Sequence, residues 1–331
     1  MFTASDSTRT GPRPLGLYFA LLQHGQGVGQ WLNALPPQQM TMLAPWQEAL
    51  KNLQATPADT AQFLQGVAAY HAHPYHRPRA EEDYTLVKNW GRVRLLHAGG
   101  PSGKGGQPVL LVPSVINTSA IFDLTPECSL VQFLVKQGYA VYVLDWGIPT
   151  VNEASHTVES LIVQCLLPAL AEMPAPPILL GYCMGGLLAL AAAQLAPTQV
   201  KGLVLAATPW DFAATPTHTA LKNNVMPLEM MLANAPLIPP DMVQAPFVLQ
   251  EPWGAIRRMQ AFATEQDPKI LNRLAALEDW LADGVPLEPA IAKTLLLDWH
   301  RDNQTQLGAW QVAGQHIALK NIQTPTLVVV A

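Results

Sequence analysis

The segment Gly181-Tyr182-Cys183-Met184-Gly185-Gly186 holds a cysteine between an apolar run at 177–180 and a small-residue stretch at 186–195. That is the strand, sharp turn and helix of a nucleophile elbow, with cysteine where the motif usually has serine. Glycines on both sides suit a turn tip too crowded for Cβ atoms. Cys183 is therefore expected exposed at the tip, where the positive end of the following helix favours the ionised thiolate, the form that attacks electrophiles. Free cysteine is often only a small buried hydrophobe, but the strand-turn-helix context favours the nucleophile.

The other two cysteines, Cys128 and Cys165, fall in helical patterns and read as buried, inert thiols. Three cysteines without CxxC or metal-ligand spacing suggest neither a disulfide framework nor a metal site, and a reducing, cytoplasmic setting fits them. His71, His73 and His76 are irregularly spaced in a polar joint and make no better metal ligands.

The elements that must position Cys183 follow from the pattern of apolar runs. Runs at 92–97, 108–112, 140–144, 177–180, 202–206 and 325–330 read as strands, and helix-length spacers between most of them imply an α/β fold with a mostly parallel, doubly covered sheet. Thr125 as N-cap, Pro126 at the first helical position, Glu127 in the first turn and Gly138 beyond the end predict the first helix of this core. Residues 1–88 form a helical N-terminal extension, with amphipathic patterns at 45–50 and 61–70 and a polar joint at 71–83. Residues 89–331 form the core, and within it a proline-, methionine- and tryptophan-rich stretch at about 211–320 reads as a helical cap inserted between two sheet strands.

With 331 residues, 49% of them hydrophobic and 13% charged, the chain can bury a large core. A net charge of −5 without a Lys/Arg cluster argues against nucleic-acid binding. Arg9 and Arg13 precede an apolar stretch at 15–22 that leads into Gly25 and Gly27 instead of a cleavage site, so no signal peptide is expected. The uncharged run at 174–199 reaches membrane-spanning length, yet Pro176, Pro177 and the elbow glycines divide it into a buried strand and a buried helix.

Several segments, taken in order, resemble the polyhydroxyalkanoate synthases, α/β-hydrolase-fold polymerases whose lipase-like box carries cysteine. They are Val112-Pro113-Ser114-Val115-Ile116-Asn117, then Leu124-Thr125-Pro126-Glu127-Cys128-Ser129-Leu130, Leu144-Asp145-Trp146-Gly147, the Cys183 box, and residues 299–303. The likeness runs from about residue 40 to the last residue, and in detail it is to the shorter, synthase-like bacterial members. It implies transfer of 3-hydroxyacyl groups from a coenzyme A thioester, as substrate and not cofactor, through an acyl-Cys183 intermediate to a growing polyester. The oxyanion would be held by the backbone N–H of Met184 and of the Val115/Ile116 peptide. A granule surface, a homodimer or a partner subunit are the partners that the resemblance suggests. A thioesterase or polyester hydrolase of the same fold is the enzymatic alternative, and a non-catalytic binding protein the other.

In this fold the acid and base follow the nucleophile near the ends of later strands. The stretch at 324–331 resembles the strand directly before the family's catalytic aspartate, and neither that aspartate nor the later histidine is present. The expectation is a fragment lacking roughly one strand–helix–strand unit of about 30–40 residues. Asp211 is the candidate substitute acid, although capping a helix is the commoner role for such an aspartate. His218, His300 and His316 lie in the cap, where structural roles are commoner than base catalysis. Trp146, Trp210, Trp253, Trp280 and Trp299 either pack the core or line a channel, and Arg257, Arg258 and Arg301 are candidates for coenzyme A phosphates.

Overall fold

Seven strands form one sheet in the computed structural model, which describes residues 9–24, 55–75, 84–98, 105–152, 156–222 and 225–330. They are β1 (Tyr84–Trp90), β2 (Val93–Ala98), β3 (Pro108–Val112), β4 (Ala140–Asp145), β5 (Ile178–Tyr182), β6 (Gly202–Ala206) and β7 (Thr326–Val329), in the order β1-β2-β4-β3-β5-β6-β7. Pairing is antiparallel for β1/β2 and β2/β4 and parallel for the rest, so β2 alone runs against its neighbours. Central β3 is buried at all five positions, as a parallel strand covered on both faces must be. β1 was not foreseen and crosses the boundary drawn at residue 88.

The helices α1 (Leu15–His24) and α2 (Pro57–Ala72) precede the sheet. Within it come α3 (Leu130–Lys136), α4 (Val158–Ser160, a π segment Leu161–Leu166, then Leu167–Ala171) and α5 (Met184–Leu195). Between β6 and β7 lie α6 (Pro216–Lys222), α7 (Val225–Asn234), α8 (Pro240–Gln250), α9 (Pro252–Thr264), α10 (Pro268–Ala282) and α11 (Pro289–Lys293, continued by the π segment Thr294–Arg301).

The predicted start of α3 is corrected. Thr125 does not cap it: its hydroxyl accepts from the Cys128 N–H at 3.0 Å in a short hairpin, Asp123–Thr125 with Cys128–Ser129. Ser129 is the N-cap, accepting from the Gln132 N–H at 2.9 Å, while Gly138 does lie beyond the end with φ 85°. Cys128 is consequently exposed, not buried in a helix, whereas Cys165 is fully buried in the π segment of α4.

Two apolar clusters cover the two faces of the sheet, one including α4 and α5 and the other α3. A third joins the N-terminal helices to the cap: Tyr18, Leu22, Phe63 and Tyr70 pack with Ile256, Met259 and Phe262. α2 starts with a capping box between Thr56 and Asp59 and approaches α9 so closely that a Cβ on Gly66 would collide with the Met259 carbonyl. Arg9 is buried between the same layers, donating to the Asp279 carboxylate at 2.9 Å and to the Tyr70 carbonyl at 2.8 Å. The helical pattern at 45–50 and His76 lie outside the described residues.

Candidate active site

β3 lies between β4 and β5, with Val112 opposite Gly181. The chain leaves β3 towards β4 and returns through β5 on the other side, so the loops beyond these strand ends flank a crevice of the kind in which open α/β sheets bind ligands. Cys183 is the first residue beyond β5, and residues 113–117 follow β3. Gly185, in the first turn of α5, meets the Val112 and Pro113 carbonyls so closely that any Cβ would clash. This contact brings the loop after β3 onto the elbow.

Cys183 has φ 52° and ψ −127°, a conformation that costs a non-glycine residue about 1–3 kcal/mol and that clusters at functional sites. Its N–H donates to the Ala206 carbonyl at 2.9 Å, and its carbonyl accepts from Gly186 at 2.9 Å, so neighbouring strand and helix hold the strained turn. The Met184 N–H and the Ser114 hydroxyl are the polar groups that favour the charged form of the sulfur. Val115, Ile116 and Met184 are buried in the cluster against which the half-buried Cys183 packs. The expected lowering of the thiol pKa is corrected: burial pushes it up, and the Met184 N–H and Ser114 hydroxyl recover only part of that rise. Removing water from around an anion outweighs one helix end.

The loop after β3 is tied on two sides. Trp146, buried just beyond β4, donates from Nε1 to the Pro113 carbonyl at 3.0 Å. The cap supplies three bonds: Val285 N–H to the Ile116 carbonyl at 3.0 Å, Asn117 Nδ2 to the Trp280 carbonyl at 3.3 Å, and Trp280 Nε1 to the Thr118 carbonyl at 2.9 Å. The sequence reading missed Ser114, the Trp146 anchor and these cap bonds. The signal for Ser114 was a hydroxyl directly after Pro113 at the C-terminal end of a buried strand; the cap bonds join residues more than 160 positions apart and leave no local trace.

The remaining candidates are engaged elsewhere. Asp211 is exposed, accepts from the Ala213 N–H at 3.0 Å and from Asn303 Nδ2 at 2.8 Å, and caps the turn Phe212–Ala214. His300 is buried against Phe212 with Nδ1 2.7 Å from the Leu295 carbonyl, and the imidazole of His218 lies 2.7 Å from the His300 carbonyl. His316 is exposed beside the Gly308 carbonyl. Arg258 pairs with buried Glu278 at 2.5 Å, Arg301 with Glu229 and Asp302 at 2.7 Å, and Arg257 lies over the Trp253 ring. Trp146, Trp280 and Trp299 are buried, which is the core-packing reading. Among the described residues no three His, Cys, Asp or Glu side chains gather as for a metal, and no helix is long and apolar enough to cross a membrane.

A sheet with this strand order, carrying a strained cysteine on a strand-to-helix turn, defines a protein of the α/β-hydrolase class. The α/β-hydrolase-fold family matches residues 107–276, just over half of the chain. The chain belongs to that family, on its polyhydroxyalkanoate-synthase-like side. It is 25% identical over 255 residues to the poly(3-hydroxyalkanoate) polymerase subunit PhaC of Haloferax mediterranei, a match covering 74% of this chain and 52% of that protein. To the subunit PhaC of Thiocystis violacea it is 26% identical over 229 residues, 66% of this chain and 64% of the relative. The chain thus spans about half to two thirds of the length of these relatives. Among solved structures, the thioesterase domain from the curacin biosynthetic pathway covers 74% of this chain at 18% identity, with 81% of that domain matched and a TM-score of 0.41.

Proposed function

We propose that the protein is a polyhydroxyalkanoate-synthase-like acyltransferase that loads a 3-hydroxyacyl group from coenzyme A onto Cys183. The observation that carries this reading is the half-buried thiol at the tip of the strained elbow, at the N-terminus of α5. The Cys183 thiolate attacks the thioester carbonyl, the S–C bond to Cys183 forms as the bond to coenzyme A breaks, and the released coenzyme A thiolate takes up a proton. One thioester replaces another, so the exchange is nearly isoenergetic and the acyl group stays activated. In the second half-reaction a hydroxyl oxygen at the end of a growing polyester attacks the acyl-Cys183 carbonyl; its proton passes to a base, and Cys183 leaves as thiolate.

Met184 N–H and the single N–H of the Val115/Ile116 peptide are the proposed oxyanion donors; the latter, on Ile116, donates to the Ser114 hydroxyl at 3.4 Å and must turn from it to reach an oxyanion. Close packing of the first turn of α5 on the Pro113 backbone supports their joint use. The names of the relatives support a polyester product and the presence of a partner subunit. Asp211 is not retained as the acid, because both of its observed bonds serve the turn it caps.

Incubation with radiolabelled 3-hydroxybutyryl-CoA followed by gel autoradiography tests the assignment. Labelling is expected in the unaltered protein and in Cys128→Ala, and none in Cys183→Ala. Label persisting in Cys183→Ala would refute it. Release of free 3-hydroxybutyrate without oligomer would move the protein to the hydrolases.

A further inference from the structure

We propose that residues 9–13 are a strap that fixes α10 and, through it, the loop after β3, and that Arg9 is the positioning residue of the strap. That the fixed loop serves catalysis rests on the reading of Cys183 as the nucleophile; that the strap fixes it does not.

Arg9 is a buried cation, its side chain 3% exposed, and its donors are spent on two elements at once. Nε donates to Asp279 Oδ1 at 2.9 Å, in the last turn of α10. Nη1 donates to the Tyr70 carbonyl at 2.8 Å and to the His73 carbonyl, and Nη2 donates to the Tyr75 carbonyl. Tyr70 and His73 end α2, whose final carbonyls carry the negative end of the helix dipole, so a guanidinium is attracted there. Asp279 stands where α10 disfavours a carboxylate, and its partners account for its place: Arg9 and the Tyr70 hydroxyl, which donates to Oδ1 at 2.7 Å. The strap continues along the same turn. A Cβ on Gly11 would lie 2.9 Å from the Tyr70 hydroxyl and 3.1 Å from Ala282 Cβ. Arg13 Nε donates to Asp241 at 2.8 Å, and its Nη1 reaches the Ala282 carbonyl at 3.5 Å.

Another face of that turn holds the loop after β3. Ala276 and Trp280 pack with Ala120 and Leu124, and Tyr182, the residue before Cys183, packs against them. Trp280 donates its indole N–H to the Thr118 carbonyl and accepts from Asn117, and Val285, just beyond α10, donates to the Ile116 carbonyl. The adjacent residues Asp279 and Trp280 therefore bond the strap and the loop respectively, and one rigid helical turn cannot shift on one side alone. Apolar packing of the N-terminal helices is non-directional, whereas the fork of Arg9 sets where the end of α10 sits.

Amide hydrogen exchange followed by mass spectrometry reads the loop directly, in peptides spanning 113–122, with α5 as internal reference. Arg9→Met is expected to speed exchange of the 116–120 amides about tenfold, as loss of a charge-assisted bond implies, and to leave α5 unchanged. Arg9→Lys keeps the charge but not the fork and should fall between. Thr56→Ala, which removes the capping box at the far end of α2, destabilises the same layer and should leave the loop at the wild-type rate. In the acyl-loading assay Arg9→Met should lower the maximal rate about tenfold with the half-saturating 3-hydroxybutyryl-CoA concentration unchanged, because a misaimed donor weakens the transition state and not ground-state binding. Wild-type loop exchange in Arg9→Met overturns the proposal, and so does an equal acceleration in Thr56→Ala. If Arg9→Met does not fold, wild-type loop exchange in Arg9→Lys overturns it. Exchange needs no acyl donor, so an unaltered protein that never loads would refute the reading of Cys183, while exchange would still decide the strap.

Discussion

Each of the three cysteines sits in a different solvent environment, and that alone sorts their chemistry. Cys128 is exposed in a hairpin, Cys183 is half-buried on a strained turn, and Cys165 is fully buried with its thiol pushed up to about 11 by desolvation. In the folded protein Cys165 is expected to resist iodoacetamide at pH 9 and to react once urea unfolds the chain, as peptide mass spectrometry would show. Because its folded pKa lies above the unfolded value, the neutral thiol favours folding fully below about pH 9, and that contribution is lost as pH rises towards 11. Cys165→Val should therefore flatten part of the fall in unfolding temperature between pH 9 and 11; an unchanged slope would contradict this. Cys183 could be picked out from sequence because glycines, an apolar strand and a small-residue helix all constrain one short stretch. Its raised pKa could not, since burial depends on β3, β5 and the loop after β3 meeting in space.

Elements were legible where burial imposes a pattern and illegible where it does not. β3 and β5 are short apolar runs because the sheet is covered on both faces, but edge strand β1, Tyr-Thr-Leu-Val-Lys-Asn-Trp, is exposed along most of its length and shows no alternation. The Thr125-Pro126-Glu127 signal misled for a related reason: a threonine that can cap a helix can equally cap a turn, and the choice fell to Ser129. Between α9 and α10 the ion pair Arg258–Glu278 is part-buried, with the Glu278 side chain 4% exposed and the Arg258 side chain 33%. Arg258→Met is expected to cost about 2 kcal/mol in urea denaturation by stranding the carboxylate, less than for a fully buried pair because Arg258 keeps contact with water, while the double variant Arg258→Met/Glu278→Leu should recover most of it. Equal stability of the single and double variants would show that the pair is not coupled. Trp280→Phe, which removes the donor to Thr118 while keeping an aromatic ring, is expected to lower stability by about 1 kcal/mol and to slow acyl loading. Iodoacetamide reactivity of Cys183 in that variant should stay at the wild-type rate, since the elbow that carries the sulfur is bonded to β6 and α5 and not to the cap.

In the whole molecule, the N-terminal helices are less an appendage to the sheet than a second layer of the cap. Phe63, Tyr70 and Leu22 are buried against Ile256, Met259 and Phe262, and Arg9 links both layers to Asp279. The sequence reading separated these parts because 179 residues lie between α2 and α9. Deleting the segment that carries α1 and α2 is expected to expose that apolar face, raising dye binding by anilinonaphthalene sulfonate and promoting aggregation; a monomeric deletion variant that binds no dye would show that the layer is dispensable.

The bonds from Trp280 and Val285 to the loop after β3 work as an interlock. If this corner of the cap lifts, the peptide groups proposed to steady the reacting carbonyl lose the contacts that aim them, so an open site is also an idle one. Water admitted through that corner would reach acyl-Cys183 only while the machinery for cleaving it is out of register. On the proposed acyltransferase reading, chain growth would then tolerate repeated opening without losing the attached acyl group to hydrolysis.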